Sequence, residues 1–225
     1  MKKAVDYIEF SIDRKKGRQI ISFEEQKART LSGRMYNDLT PELVNARKEA
    51  VALTDEYNRT YGEAPEVREK ILKKLLGSVG KNSLFEPDFR CEFGYNIYVG
   101  DNFYANFDCV MLDGGGIYIG NDVMLGPRVG IYTSSHAYWA EERVKGACFG
   151  RPVRIGNGVW IGGGVHIAQG VTIGDNTIIG SGSVITKDIP ANVVAAGVPC
   201  RVIREITEKD KTDYFSVLET EYGIK

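Results

Sequence analysis

The chain has 225 residues, with 29 basic and 30 acidic side chains, a formal charge of -1 and 26 glycines. Glycine does not recur at every third place, which excludes collagen, and the apolar content excludes a disordered chain. No apolar run approaches the ~18 residues of a membrane span, and the near-zero charge gives no basic field, so neither membrane nor nucleic acid is expected as a partner.

Met1-Lys2-Lys3 leads into Asp6, Glu9 and Asp13 rather than the apolar stretch of a secretory signal, so a cytoplasmic location is expected. The four cysteines, Cys91, Cys109, Cys148 and Cys200, form no C-x-x-C pair and are read as free thiols. Charge and glycine are segregated along the chain. Residues 1–90 hold 33 charged residues and five glycines, and residues 91–200 hold 15 and 20. A charged head and a charged tail therefore flank a glycine-rich middle.

Residues 1–22 are an extension with no readable role. Residues 23–90 read as helical. Thr40-Pro41 offers an N-cap oxygen and a first-turn proline, followed by an apolar stripe of Leu43, Ala46, Ala50, Leu53 and Tyr57. A second helix is expected from Pro65, with Val67, Ile71, Leu72, Leu75 and Leu76 inward and Gly77 at its C-terminal cap.

The middle carries an internal repeat. Ile155, Ile161, Ile167, Ile173, Ile179 and Ile185 recur every six residues, each followed four places later by Val159, Val165, Val171, Thr177, Ser183 or Ile189. An earlier series, Val99, Ala105, Met111, Ile119, Leu125 and Ile131, is broken by two extra residues at Gly114–Gly116. A period of six fits neither an α-helix nor an alternating strand. It fits a flat strand and a corner, three to a coil, as in a parallel β-helix. The chain is expected to be mainly β, with a β-helix over residues 91–204 in which residues 97–200 supply about five coils. The helical head and tail would flank or cap the open strand edges of the end coils.

The repeat fails over residues 133–150, an excursion that holds His136 beside Tyr138 and Trp139. An insertion in a solenoid leaves from one face, often the binding face. The other histidine, His166, falls at an outward place in the repeat and reads as a surface side chain. Residues 205–225 read as a C-terminal helix, with Thr207 and Asp210 in a capping-box spacing and Tyr214, Phe215 and Leu218 on an apolar face.

Several stretches carry a resemblance: Gly100-Asp101-Asn102-Phe103-Tyr104-Ala105-Asn106, Ile155-Gly156-Asn157-Gly158-Val159-Trp160-Ile161-Gly162-Gly163, Thr186-Lys187-Asp188-Ile189-Pro190, and Gly197-Val198-Pro199-Cys200-Arg201. Together with the head, they resemble the hexapeptide-repeat acetyltransferases, most nearly the maltose and galactoside O-acetyltransferases. The resemblance spans about residues 24–206. It implies a left-handed β-helix, a homotrimer with active sites between subunits, acetyl-coenzyme A as co-substrate, a small sugar as acceptor, and no metal requirement.

By that resemblance His136 is the catalytic base, and Asp38, Glu92, Tyr104, Asn106 and Asp113 lie at the acceptor. Gly163 supplies a backbone N–H to the thioester oxyanion. Asn106, Gly163, Ser181, Thr186, Lys187, Arg201 and Arg204 bind coenzyme A. Histidine suits the base because its pKa lies near neutrality. Arginine suits phosphate because its donors are paired. Two departures weaken a galactoside assignment: Gly114 replaces an aspartate of the galactoside enzyme, and Glu92 replaces an acceptor serine.

Three rivals remain at this level. The first is an acetyltransferase with another acceptor, such as a galactoside, oligosaccharide, amino-sugar or xenobiotic. The second is a non-catalytic trimeric scaffold. The third is a zinc β-helix enzyme of the carbonic anhydrase type, which needs three histidine ligands where this chain has two histidines.

Overall fold

The computed structural model describes residues 21–224, so the extension lies outside the described residues except for Ile21 and Ser22. Helix α1 (Phe23–Leu31) opens with a capping box, in which Ser22 Oγ accepts from Glu25 N–H and the Glu25 carboxylate accepts from Ser22 N–H. Helix α2 (Pro41–Arg59) starts at the expected proline. Thr40 makes no side-chain cap bond; its hydroxyl donates to Gln26 Oε1 at 2.5 Å and ties α1 to α2. Helix α3 (Pro65–Leu75) buries Ile71, Leu72 and Leu75, whereas Val67 is exposed. Gly77 is not its cap, since the chain is already extended at Leu76. Glycine is required there because a Cβ would stand 2.6 Å from the Tyr95 carbonyl and 2.7 Å from the Tyr98 ring.

The middle is a three-sided solenoid of parallel sheets. One side stacks strands Ser78–Val79, Ile97–Val99, Ile117–Ile119, Val153–Ile155 and Thr172–Ile173. The second stacks Leu84–Phe85, Tyr104–Ala105, Met124–Leu125, Trp160–Ile161, Ile178–Ile179 and Val193–Ala196. The third stacks Arg90–Cys91, Val110–Leu112, Gly130–Tyr132, His166–Ile167 and Val184–Ile185. The hexad isoleucines point inward, each no more than 3 % exposed, and the small residues four places later are buried with them. Registers place like on like: Ile119 beside Ile155 beside Ile173, and Leu125 beside Ile161 beside Ile179. Burying one such side chain stabilises by roughly 1.5–3 kcal/mol, so the stack is the main cohesive element.

Corners explain the polar residues between. Asn102, Asp122, Asn176 and Asn192 adopt left-handed backbone angles, which short polar side chains tolerate by local hydrogen bonding. Asn102 Nδ2 donates to Asp122 Oδ1 at 2.8 Å, coil to coil.

The β-helix begins at Ser78, earlier than the expected residue 91. Val79, Phe85 and Cys91 keep the six-residue phase, but a charged sequence and the absence of isoleucine mask it. α2 and α3 close this first coil: Tyr57 Oη and Arg68 both donate to the Phe85 carbonyl, and Asn58 brackets Phe89 with two hydrogen bonds. At the far end Arg201–Glu205 folds back antiparallel on Val193–Ala196. The Thr207–Asp210 capping box belongs to a short 3-10 turn, Glu208–Asp210, and the C-terminal helix Tyr214–Tyr222 starts after it. None of that helix's residues is fully buried, Val217 and Leu218 are partly covered, and Phe215 is 85 % exposed.

All departures from the hexad lie on one edge of the prism. Phe93–Asn96, Gly114–Gly116 and the 133–150 excursion each leave the third side and return to the first, in consecutive coils.

Candidate active site

The excursion is a short antiparallel ribbon that folds over this edge. Ser134–His136 pairs with Ala147–Gly150, which pairs in turn with Tyr36–Asn37 of the head. The registers set Tyr36, Cys148 and His136 in one cross-strand row. Residues directly opposite in a ladder present side chains to the same face, so the row is a side-chain row as well. His136 is exposed and Cys148 is buried. A carboxylate oxygen of Asp38, a ring nitrogen of His136 and Cys148 Sγ all lie within 4.8 Å of one another.

Arg47 of α2 organises the carboxylates beside this row. Its Nη2 lies 3.6 Å from Asp38 Oδ2, its Nη1 donates to the Asp38 carbonyl at 2.7 Å, and its Nε donates to Glu92 Oε1 at 3.1 Å. The other Glu92 oxygen accepts from Ser134 Oγ at 3.3 Å. Two carboxylates share one guanidinium, which leaves the group net negative. Asp38 Oδ1 is buried and has no hydrogen-bond partner among the described residues. Cys148 Sγ donates to Tyr36 Oη at 3.3 Å, and burial pushes the pKa values of both the thiol and the phenol up.

Asp113 has a different place from the one expected. It is 0 % exposed, with Oδ1 accepting from Phe93 N–H at 2.8 Å and Oδ2 from Asn96 N–H at 3.1 Å. It ties consecutive corner insertions together beneath the site and shows no surface to an acceptor. Burial pushes its pKa up to about 6, against the opposing pull of those backbone donors. Gly114 lies next to it, and a Cβ there would meet Ser134 Oγ, Tyr36 Oη at 3.0 Å and Glu92 Oε2 at 3.3 Å. The space a side chain at 114 would fill is taken first by the Ser134 hydroxyl, with the Tyr36 phenol and the Glu92 carboxylate of the preceding coil behind it.

The remaining expected residues fall elsewhere. Tyr104 lies in a strand of the second side, and Asn106, Gly163 and Ser181 line the edge that follows between the second and third sides, stacked coil on coil by bonds such as Gly182 N–H to the Gly163 carbonyl at 2.9 Å. Tyr104 Oη reaches Glu86 Oε1 at 3.5 Å, and Asn106 Oδ1 accepts from Phe107 N–H at 2.7 Å. Among the described residues no hydrogen bond uses the Gly163 N–H. Thr186 and Lys187 are exposed after the last strand of the third side. Arg201 and Arg204 are exposed on the returning strand, where Asp210 holds Arg204 through both carboxylate oxygens. One protomer thus brings His136, Asp38 and Glu92 together, but carries Asn106, Gly163 and Ser181 on a different edge.

Sequence reasoning missed Arg47, Tyr36 and Ser134 and gave Cys148 no role. For Arg47 a signal existed: it sits four residues after Leu43 and next to Ala46, on the flank of the buried stripe. His166 is outward as expected, its ring stacked on Tyr132 with Nδ1 3.1 Å from Tyr132 Oη.

Comparison with known proteins gives this arrangement its context. The maltose acetyltransferase hexapeptide capping motif matches residues 29–80, and the bacterial transferase hexapeptide (six repeats) matches residues 152–187. The galactoside O-acetyltransferase of Escherichia coli K12 is 42 % identical over 196 residues, covering 87 % of this chain and 97 % of its own. The crystal structure of a maltose O-acetyltransferase from Clostridium difficile 630 superposes with a TM-score of 0.78 at 52 % identity, over 81 % of this chain and 98 % of that one. A galactoside acetyltransferase in complex with coenzyme A gives a TM-score of 0.79 at 43 % identity, over 84 % and 95 %.

A six-residue β-helix with a helical cap and a histidine ribbon defines a hexapeptide-repeat transferase. Within that class, the chain belongs to the hexapeptide-repeat acetyltransferase family.

Proposed function

We propose that this protein transfers the acetyl group of acetyl-coenzyme A to a hydroxyl of a small sugar of the maltose or glucose kind, with His136 as general base. The observation that carries the reading is the exposed His136 imidazole grouped with the Asp38 carboxylate on the one edge where the repeat is interrupted. Neutral imidazole takes the acceptor's hydroxyl proton as the oxygen attacks the thioester carbonyl carbon. The tetrahedral oxyanion accepts from the Gly163 N–H, a donor that needs no side chain. The C–S bond then breaks, and the imidazolium returns its proton to the departing thiolate, so the base is regenerated without an acetyl-enzyme. Asp38 and Glu92, set by Arg47, are the acceptor's hydrogen-bond acceptors, with Tyr104 and Asn106 opposite.

Lys187, Arg201 and Arg204 bind the cofactor's phosphates, with Ser181 and Thr186 along the groove. A guanidinium has five donors, so Arg204 keeps some for phosphate while Asp210 fixes its orientation. The two half-sites on separate edges come together in a homotrimer. Support for self-association is an outward column along the second side, Leu84, Tyr104, Met124, Trp160, Ile178 and Val194 in consecutive register, in which Met124 and Trp160 are 51 % and 50 % exposed. No helix of the described residues is long and apolar enough to cross a membrane. The four buried free thiols fit a reducing, cytoplasmic setting.

The Glu92–Gly114 exchange favours an acceptor other than a galactoside, because it moves the corner's carboxylate to a neighbouring coil. Acetyl transfer to a panel of sugars, read as release of free coenzyme A thiol, tests both points. His136→Ala should lose at least ~10²-fold in rate, the lower end of what a general base supplies. A variant with near-normal rate overturns the assignment.

A further inference from the structure

We propose that Asp38, His136 and Cys148 form a binding site for a soft divalent cation of the zinc class, and that an ion there inhibits the enzyme by occupying the histidine. The inhibitory part rests on His136 being the general base; the binding part does not.

Three different donor types converge: a carboxylate oxygen, an imidazole nitrogen and a sulfur, mutually within 4.8 Å. Zinc is held by this kind of set, at metal–ligand distances that place ligand atoms roughly 3.5 Å from one another. His136 is exposed, so its ring has room to turn towards the other two groups. Two strands of one ribbon fix the cysteine and the histidine as direct cross-strand partners, so their approach is built into the backbone register. Asp38 has divided its oxygens in a way that suits a ligand. Oδ2 lies towards Arg47, whereas Oδ1 is buried without any hydrogen-bond partner among the described residues. A buried carboxylate oxygen left unpaired is costly, and a cation removes that cost.

The surroundings fit a cation. The groups around the sulfur are Tyr36, Asp38, Glu92, Arg47 and His136, and the two carboxylates outnumber the one guanidinium. Thiolate sulfur with imidazole selects zinc or cadmium over magnesium or calcium, which prefer all-oxygen sets. Coordination requires the thiol to ionise: the S–H proton leaves to solvent and the metal–sulfur bond replaces it. Tyr36, now an acceptor from the thiol, then turns its O–H to donate to the sulfur and holds the ligand from outside. A fourth position stays open to water on the exposed side of His136. The lone pair that His136 gives to the metal is the one it needs for the acceptor's proton, so binding and catalysis exclude each other.

The test uses the full-length protein, purified and treated with chelator, with zinc and cadmium as probes. Titration calorimetry should show one zinc per protomer. Cadmium should produce the ultraviolet thiolate-to-metal charge-transfer absorption. Cys148→Ser, which keeps a small polar side chain, should abolish that absorption and weaken zinc by at least about 100-fold, the upper end of the loss for a mere outer-shell partner. The same variant should keep acetyl transfer while losing its sensitivity to zinc. Absence of the cadmium band in the wild type, or equal zinc affinity in Cys148→Ser, overturns the site. Stoichiometric binding with the cadmium band but undiminished activity upholds the site, overturns the inhibition and rejects His136 as the base.

Discussion

At the scale of single residues, the site rests on charges whose burial has consequences that can be measured. Asp113 is the clearest case. Its folded pKa of about 6 exceeds the ~3.9 of an unfolded aspartate, so the native protein binds the extra proton between those values. The stabilising contribution is complete below about pH 4, is lost as pH rises through about 6, and amounts to about 3 kcal/mol across the window. Thermal unfolding of wild type and Asp113→Asn between pH 4 and 7 should show the wild type losing stability relative to the variant as pH rises. A pH-independent difference would mean that the backbone donors to Asp113 offset its burial and leave its pKa unraised. Arg47 has the complementary role: it bridges two carboxylates that would otherwise repel, and leaves one negative charge uncompensated.

At the scale of elements, the corner between the third and first sides is where the repeat is interrupted. Successive coils there carry Phe93–Asn96, Gly114–Gly116 and the histidine ribbon, and Asp113 binds the first two together. Steric room at this corner is shared between coils, so residues 92 and 114 should couple. Gly114→Asp alone crowds Ser134 and Tyr36 and sets a second carboxylate against Glu92, which should destabilise by about 1–3 kcal/mol. Adding Glu92→Ser should recover part of that loss, with a coupling energy of about 0.5–3 kcal/mol in a denaturant double-mutant cycle. Strict additivity would show that the two positions do not share the space. The same exchange, tried on the acceptor panel, would move preference towards galactosides.

At the scale of the whole molecule, the separation of the two half-sites has a sharp consequence. If His136 of one protomer works with Asn106 of another, then two inactive homotrimers, His136→Ala and Asn106→Ala, should complement after mixed refolding. Random assortment in a closed ring restores about a quarter of the sites to wild-type composition. No recovered activity, with mixed trimers verified by mass, would place both half-sites in one protomer's reach. The outward column of Met124 and Trp160 and the largely exposed C-terminal helix are the surfaces such a trimer would cover.

The six-residue period, the inward isoleucines, the corners and the two proline-started helices were determined by the sequence, because each depends on residues close along the chain. The place of His136 in an excursion from the solenoid was legible for the same reason: it stands where a local repeat breaks. The start of the solenoid at Ser78 was hidden, since Val79, Phe85 and Cys91 hold the phase without the residue type that advertises it. What only the tertiary structure decided are meetings across the chain: Tyr36 with Cys148, 112 positions apart, and Arg47 with Glu92, 45 apart. Asp113 lay in the right neighbourhood but on the wrong side of the backbone. Its burial follows from how two coils stack, and no local pattern specifies which face of a corner a carboxylate takes.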